Sequence, residues 1–208
     1  YVEGKALYRR GKNGAAMTAF ASVSPRAAQF APAKYYRGVI QTNNGKLDEA
    51  VAEFQQVINS SVVEGTSPLG LDEDYAEVRQ LARLALARIA AERKDPAKAL
   101  EFYQDIDRRS PSFEIALYEM AWVMLEEERF EQALHTLDVL VLIAKEGRIL
   151  ADANVMKSRL LMKLQRYEEA SQGYSAVLDN FSPIQRELER VARSDKRLDE
   201  YFEWLVDR

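Results

Sequence analysis

Gly11–Val23 reads GKNGAAMTAFASV, and 34 residues further on Gly45–Val57 reads GKLDEAVAEFQQV. Both open on Gly-Lys, and Ala16, Phe20 and Val23 of the first are answered by Ala50, Phe54 and Val57 of the second. Neither stretch holds a cysteine, a histidine or a phosphate-cradling glycine loop. What the chain repeats is a pattern of side-chain sizes.

That pattern recurs three more times. Ala99 and Ala133 are again 34 apart, Ala170 follows Ala133 by 37, and Ala50 to Ala99 is 49, an insertion of fifteen. Four residues after each Ala stands a large side chain: Phe20, Phe54, Tyr103, Leu137, Tyr174. Three later comes Val23, Val57, Ile106, Leu140 or Val177, and twelve before each Ala sits Gly4, Gly38, Ala87, Ala121 or Ser158. Positions i, i+4 and i+7 share one face of a helix. The small residue belongs to a preceding helix, set off by the breaks RRGKNG, NNGK, RKDP, EEER and LQR. Antiparallel helices approach closely only where both present small side chains. The sequence therefore predicts hairpins that touch at the Gly/Ala/Ser and the Ala, with the large residue filling the space beside them.

A helix–turn–helix unit of this period and pattern resembles the tetratricopeptide (TPR) repeat over roughly residues 1–184. The chain departs from that family in lacking the Trp early in each first helix. The closing Pro is in register only at Pro111, near register at Pro183 and early at Pro25. The resemblance implies an all-α fold, a right-handed superhelical array (α-solenoid) of about five hairpins. Its units are 1–30, 31–64, 80–113, 114–147 and 151–184, with an insertion loop at about 60–74 and a C-terminal helical extension over 185–208.

The spacing predicts helices over 1–11, 14–23, 33–43, 46–59, 74–93, 96–107, 112–127, 129–145, 149–164 and 167–179. Asp95 before Pro96 supplies an N-cap and a first helical residue, and Ser110-Pro111 reads the same way. Gly65, Ser67, Pro68 and Gly70 mark the insertion as an irregular loop, read either as a tolerated insertion or as a functional loop, and the helix after it starts about two turns ahead of the repeat. Past Pro183 the pattern stops. PIQRELERVAR and SDKRLDEYFEWLVDR read as two amphipathic capping helices, the second opening at Ser194. An apolar stripe there offers self-association through Tyr201, Trp204 and Leu205.

Composition suits a folded globular chain: 47% hydrophobic and 30% charged residues, with no cysteine. The longest apolar run, Leu137–Ala144, is far shorter than the ~20 residues of a membrane-spanning helix. Residue 1 is Tyr, so the natural start is expected upstream. Residues 1–46 carry Lys5, Arg9, Arg10, Lys12, Arg26, Lys34, Arg37 and Lys46 against Glu3 alone, leaving −11 for the rest. Two readings stand: the basic end steers an acidic partner, or upstream acids balance it. The acidic remainder argues against a nucleic-acid partner.

The single histidine, His135, has no Ser or Asp placed to form a triad and reads as a surface residue. With no P-loop, GxGxxG or HExxH, the sequence assigns no catalytic, metal or cofactor residue. The resemblance implies instead that each first helix lines a concave face. The inward positions are then Tyr1, Lys5, Tyr8 and Arg9; Tyr35, Val39, Thr42 and Asn43; Leu84, Arg88 and Glu92; Tyr118, Trp122, Leu125 and Glu126; Val155, Arg159, Met162 and Lys163. Of these, Tyr8, Arg9, Tyr35, Asn43, Arg88, Tyr118, Trp122, Glu126, Arg159 and Lys163 are the candidate partner-binding residues, aromatic and charged side chains of the kind that dominate interfaces. The Lys/Asn/Arg clamp by which some family members hold a peptide carboxylate is not matched: Tyr1, Lys5, Tyr36, Leu81 and Ala85 stand at its positions. The expected function is a non-catalytic protein-binding scaffold, by family likeness a bacterial one in an envelope or motility complex, periplasmic or outer-membrane associated, with the cytoplasm as the alternative. The alternative is a docking module of a larger protein.

Overall fold

Five residues before each repeated Ala, the backbone enters the left-handed region, at Gly11 (φ 71°), Gly45 (73°), Lys94 (58°), Glu128 (57°) and Gln165 (62°). Each of these residues closes a helix in the same manner. The Gly11 N–H donates to the Tyr8 carbonyl and the Lys12 N–H to that of Leu7. The pair is repeated at Gly45/Lys46, Lys94/Asp95, Glu128/Arg129 and Gln165/Arg166. Such a doubly bonded cap satisfies two orphan carbonyls and reverses the chain within a few residues. Glycine supplies it without steric cost in the first two repeats; Lys, Glu and Gln bear that cost in the others.

A computed structural model describes residues 1–60, 75–144 and 147–192, with ten helices and no strand among them. They are α1 (Val2–Arg9), α2 (Asn13–Ala21), α3 (Phe30–Asn43), α4 (Leu47–Asn59), α5 (Tyr75–Glu92), α6 (Pro96–Gln104), α7 (Phe113–Glu126), α8 (Phe130–Ile143), α9 (Arg148–Lys163) and α10 (Tyr167–Ala192). Two compact units divide the chain, Tyr1–Arg129 and Phe130–Arg208. In the first, α1/α2, α3/α4 and α5/α6 pair as hairpins, each second helix lies on the following first helix, and α3 runs against α5. In the second unit α9 packs against both α8 and α10. None of the described helices is long and apolar enough to cross a membrane.

Ala16, Ala50, Ala99, Ala133 and Ala170 are all buried, as the helix-face argument requires. The closest approach within the hairpins is not Gly to Ala, however. A Cβ added at Gly38 would lie 2.5 Å from Cε1 of Phe54, and one at Gly4 2.6 Å from Cε1 of Phe20. The glycine thus makes room for the aromatic ring four residues beyond the Ala, which lies flat where a side chain would stand. Phe54 is 1% exposed, joined in its cluster by Val57, Ala82 and Leu86, with Tyr35 against it. In the second unit the crossing takes a third form, Ser158 on α9 meeting Gly173 on α10.

The linkers are repeated too. Ser24 and Asp107 accept from the N–H two residues on, Arg26 and Arg109, and the turns then place Phe30 and Phe113 first in α3 and α7. Ser110 and Pro111 therefore lie in the linker, and Ser112 holds the N-cap position of α7. At α6 the predicted cap is observed, Asp95 accepting from the Lys98 N–H at 3.1 Å. α3 begins three residues earlier than predicted and carries Pro32 within its first turn, where a missing N–H costs nothing. Counted back from Phe113, the repeat would start α5 at Arg79. The described helix already runs from Tyr75, at least one turn ahead of that. That turn carries Glu77, whose carboxylate accepts from Ser110 Oγ (2.7 Å) and Ser112 Oγ (2.6 Å) and ties down the linker ahead of α7.

The basic N-terminal stretch has a partly structural explanation. Glu53 on α4, 7% exposed, lies 2.9 Å from Lys34 Nζ and 2.5 Å from an Arg37 guanidinium nitrogen on α3. Two of the eight cations thus share one carboxylate across the α3/α4 hairpin, which offsets one of their two charges.

The predicted break before Pro183 is overturned, since α10 runs unbroken from Tyr167 to Ala192 with Pro183 inside it. Proline removes one N–H and frees carbonyls one turn back. Leu178 and Asp179 are exposed, so water reaches those carbonyls, and Ser182 Oγ donates to the Leu178 carbonyl at 2.6 Å. Beyond Val177 the helix exposes Leu178, Phe181, Ile184 and Leu188. The insertion loop, the predicted helix from Ser194 and the self-association residues Tyr201, Trp204 and Leu205 lie outside the described residues.

Candidate partner-binding face

The first helices of the N-terminal unit lie side by side, and specific pairs tie each to the next. Tyr8 on α1 meets Tyr36 on α3 edge-on at 5.4 Å, and Tyr36 stacks on Phe20 at 5.2 Å. Lys5 sits over the Tyr1 and Tyr36 rings. From α5, Arg88 grips Glu119 on α7 with two nitrogens, at 2.6 and 2.8 Å, while Lys94 reaches Glu126 at 3.5 Å. α1, α3, α5 and α7 therefore present a shared row of side chains.

Arg88 and Glu119 anchor a small network. The Tyr103 hydroxyl, arriving from α6, donates to Glu119 at 3.1 Å. Burial first, then the Glu119 charge and the hydrogen bond to it, push the Tyr103 pKa well above the usual tyrosine value. Bonding to Glu119 likewise holds Arg88 more firmly protonated. Tyr103 occupies the position that Phe20 and Phe54 hold in the first two repeats. Its extra oxygen must find a partner when buried, and Glu119 provides it.

An open depression of about 330 Å³ lies beside this network, floored by Ala91 and Val123 and walled by Arg88, Glu92, Trp122 and Glu126. Trp122 is 47% exposed and meets Tyr118 one turn away, rings perpendicular at 6.5 Å. Of the candidate residues, the structure brings Arg88, Trp122 and Glu126 into the depression, with Tyr118 braced against Trp122. Tyr35 lies on α3, half-buried between Tyr36 and Phe54; burial raises its pKa and the Arg88 charge partly offsets this. Tyr8 is half-buried in the α1/α3 aromatic cluster, while Arg9 and Asn43 are exposed at the ends of α1 and α3. In the second unit, on α9, Arg159 is exposed and Lys163 lies 4.1 Å above the Phe130 ring. His135 is exposed on α8, and Leu84 is buried.

Sequence reasoning missed Glu119, Tyr103 and Lys94. A usable signal was present: first helices one repeat apart are neighbours, so opposite charges 31 or 32 residues apart, Arg88 with Glu119 and Lys94 with Glu126, fall side by side.

Residues 1–61 and 90–151 each match a family model described as tetratricopeptide repeat. No curated protein matches the chain. Among solved structures, one described as "MamA RS-1 ArsTM double mutant" is similar at 16% identity and TM-score 0.62, covering 92% of this chain and 93% of that one. A Podosopora anserina putative kinesin light chain with nearly identical TPR-like repeats is similar at 16% identity and TM-score 0.61, covering 88% and 93%. At these identities the likeness is one of fold.

Proposed function

Because this chain belongs to the tetratricopeptide-repeat family, an all-α array of helix hairpins that bind protein partners, we propose that it is a non-catalytic scaffold. It captures a helix or extended segment of another protein along the face made by α1, α3, α5 and α7. The observation that carries this reading is Trp122, a large aromatic left 47% exposed on a first helix with the Tyr118 ring perpendicular to it at 6.5 Å. A rigid exposed aromatic gives contact area at little entropic cost. The Arg88–Glu119 pair beside it is already formed, so a partner would meet a preorganised polar edge.

Crosslinked pull-down from the protein's own cell, with wild type and a Tyr118→Ala/Trp122→Ala variant, tests the proposal. Capture should be lost in the variant while its helicity by circular dichroism stays near wild type. Undiminished capture by the folded variant would refute the reading.

A further inference from the structure

We propose that the depression between α5 and α7 receives a cationic side chain of the partner, laid over the Trp122 ring and reaching the Glu92 carboxylate. This rests on the reading of the first-helix row as the binding face. Two independent observations converge on it. The first is the Trp122 ring, exposed beside the depression and edge-braced by Tyr118. The second is the charge account of the walls. Glu119 is taken up by Arg88 and Tyr103, and Glu126 faces Lys94 at 3.5 Å. Arg88 and Lys94 each have their carboxylate already. Glu92, also on the wall, has neither ion pair nor hydrogen bond among the described residues.

The depression therefore offers an electron-rich aromatic face and one surplus negative charge in the same lining. A guanidinium or ammonium group satisfies both at once. A carboxylate would be repelled by the unpaired charge of Glu92. An aliphatic side chain would cover Trp122 but leave Glu92 shielded from water with nothing in exchange.

The test uses the full chain with Trp204→Phe, which makes Trp122 the sole tryptophan of the two in the sequence. Capped Gly-Xaa-Gly tripeptides with Xaa arginine, lysine, norleucine or glutamate are titrated, reading Trp122 fluorescence and its indole N–H resonance. The arginine and lysine peptides should shift both saturably, arginine the more strongly, and the glutamate peptide should not. Glu92→Gln should weaken the arginine peptide about two- to fivefold, with raised salt weakening it similarly. Equal responses to norleucine and arginine, or an arginine affinity untouched by Glu92→Gln, would overturn the assignment. If the Tyr118→Ala/Trp122→Ala variant still loses its partner in that case, the binding face stands and only the cation is refuted. If capture survives in that variant, face and cation fall together.

Discussion

Gly38→Ala tests the packing account most directly, because two effects of known size oppose each other there. In an exposed helix the substitution stabilises by about 1 kcal/mol, through the backbone freedom that glycine loses on folding. At Gly38 the new methyl would stand 2.5, 2.7 and 2.8 Å from three ring carbons of Phe54. Carbon atoms settle about 3.5–4.0 Å apart, so ring and helix must separate by roughly 1 Å. Phe54 is 1% exposed and cannot swing into solvent. Such overpacking costs about 1–3 kcal/mol, and the net effect is a loss of up to about 2 kcal/mol. Gly14 is the control: it lies in α2 with nothing within 4 Å of an added Cβ, so Gly14→Ala should be neutral or stabilising. Urea denaturation followed by circular dichroism measures both. Phe54→Leu in the Gly38→Ala background should recover part of the loss, giving a coupling of about 1 kcal/mol or more between the two sites. The fourth repeat carries this combination in its sequence, Ala121 where Gly38 stands and Leu137 where Phe54 stands, both buried. If Gly38→Ala stabilises as much as Gly14→Ala, or the two sites prove additive, the glycine–ring crossing is not what sets the hairpin spacing.

Glu53→Ala strands Lys34 and Arg37, whose side chains are 14% and 22% exposed, and should cost about 3 kcal/mol. Asp48→Ala, which removes the solvent-exposed partner of Arg93, should cost about 0.5 kcal/mol or less in the same urea titration. Burial and Glu119 raise the Tyr103 pKa above its ordinary 10; its stabilising contribution is therefore whole below that pH and is lost as pH climbs from there toward the folded-state value. The melting temperature of wild type should fall more steeply than that of Tyr103→Phe between about pH 9 and about pH 11, and parallel curves would refute the coupling. Glu128→Gly relieves a left-handed residue with φ 57° and should stabilise by up to about 1 kcal/mol; a loss of stability would show that the side chain does more than its exposure suggests.

The repeat, its period and its buried faces were legible in the chain because they follow from local geometry. A helix turns at a fixed rate, so Ala16, Phe20 and Val23 must share a side, and the recurrence of that spacing sets the period. The turns were visible as breaks, and the cap at Asp95 could be assigned from its neighbours in sequence. Tertiary structure decided what depends on groups distant in the chain. Gly38 faces the Phe54 ring rather than Ala50 because the ring, not the methyl, reaches across the helix crossing. Glu77 holds the linker before α7 because Ser110 and Ser112, more than thirty residues on, bring their hydroxyls to its carboxylate. Pro183 remains helical because its freed carbonyls lie in solvent, which no local propensity records. The proposed binding face divides along the same line. Trp122 and Arg88 could be placed by repeat register alone, whereas the partners that commit Arg88 and leave Glu92 unpaired come from neighbouring helices, and only their packing determines which charges cancel.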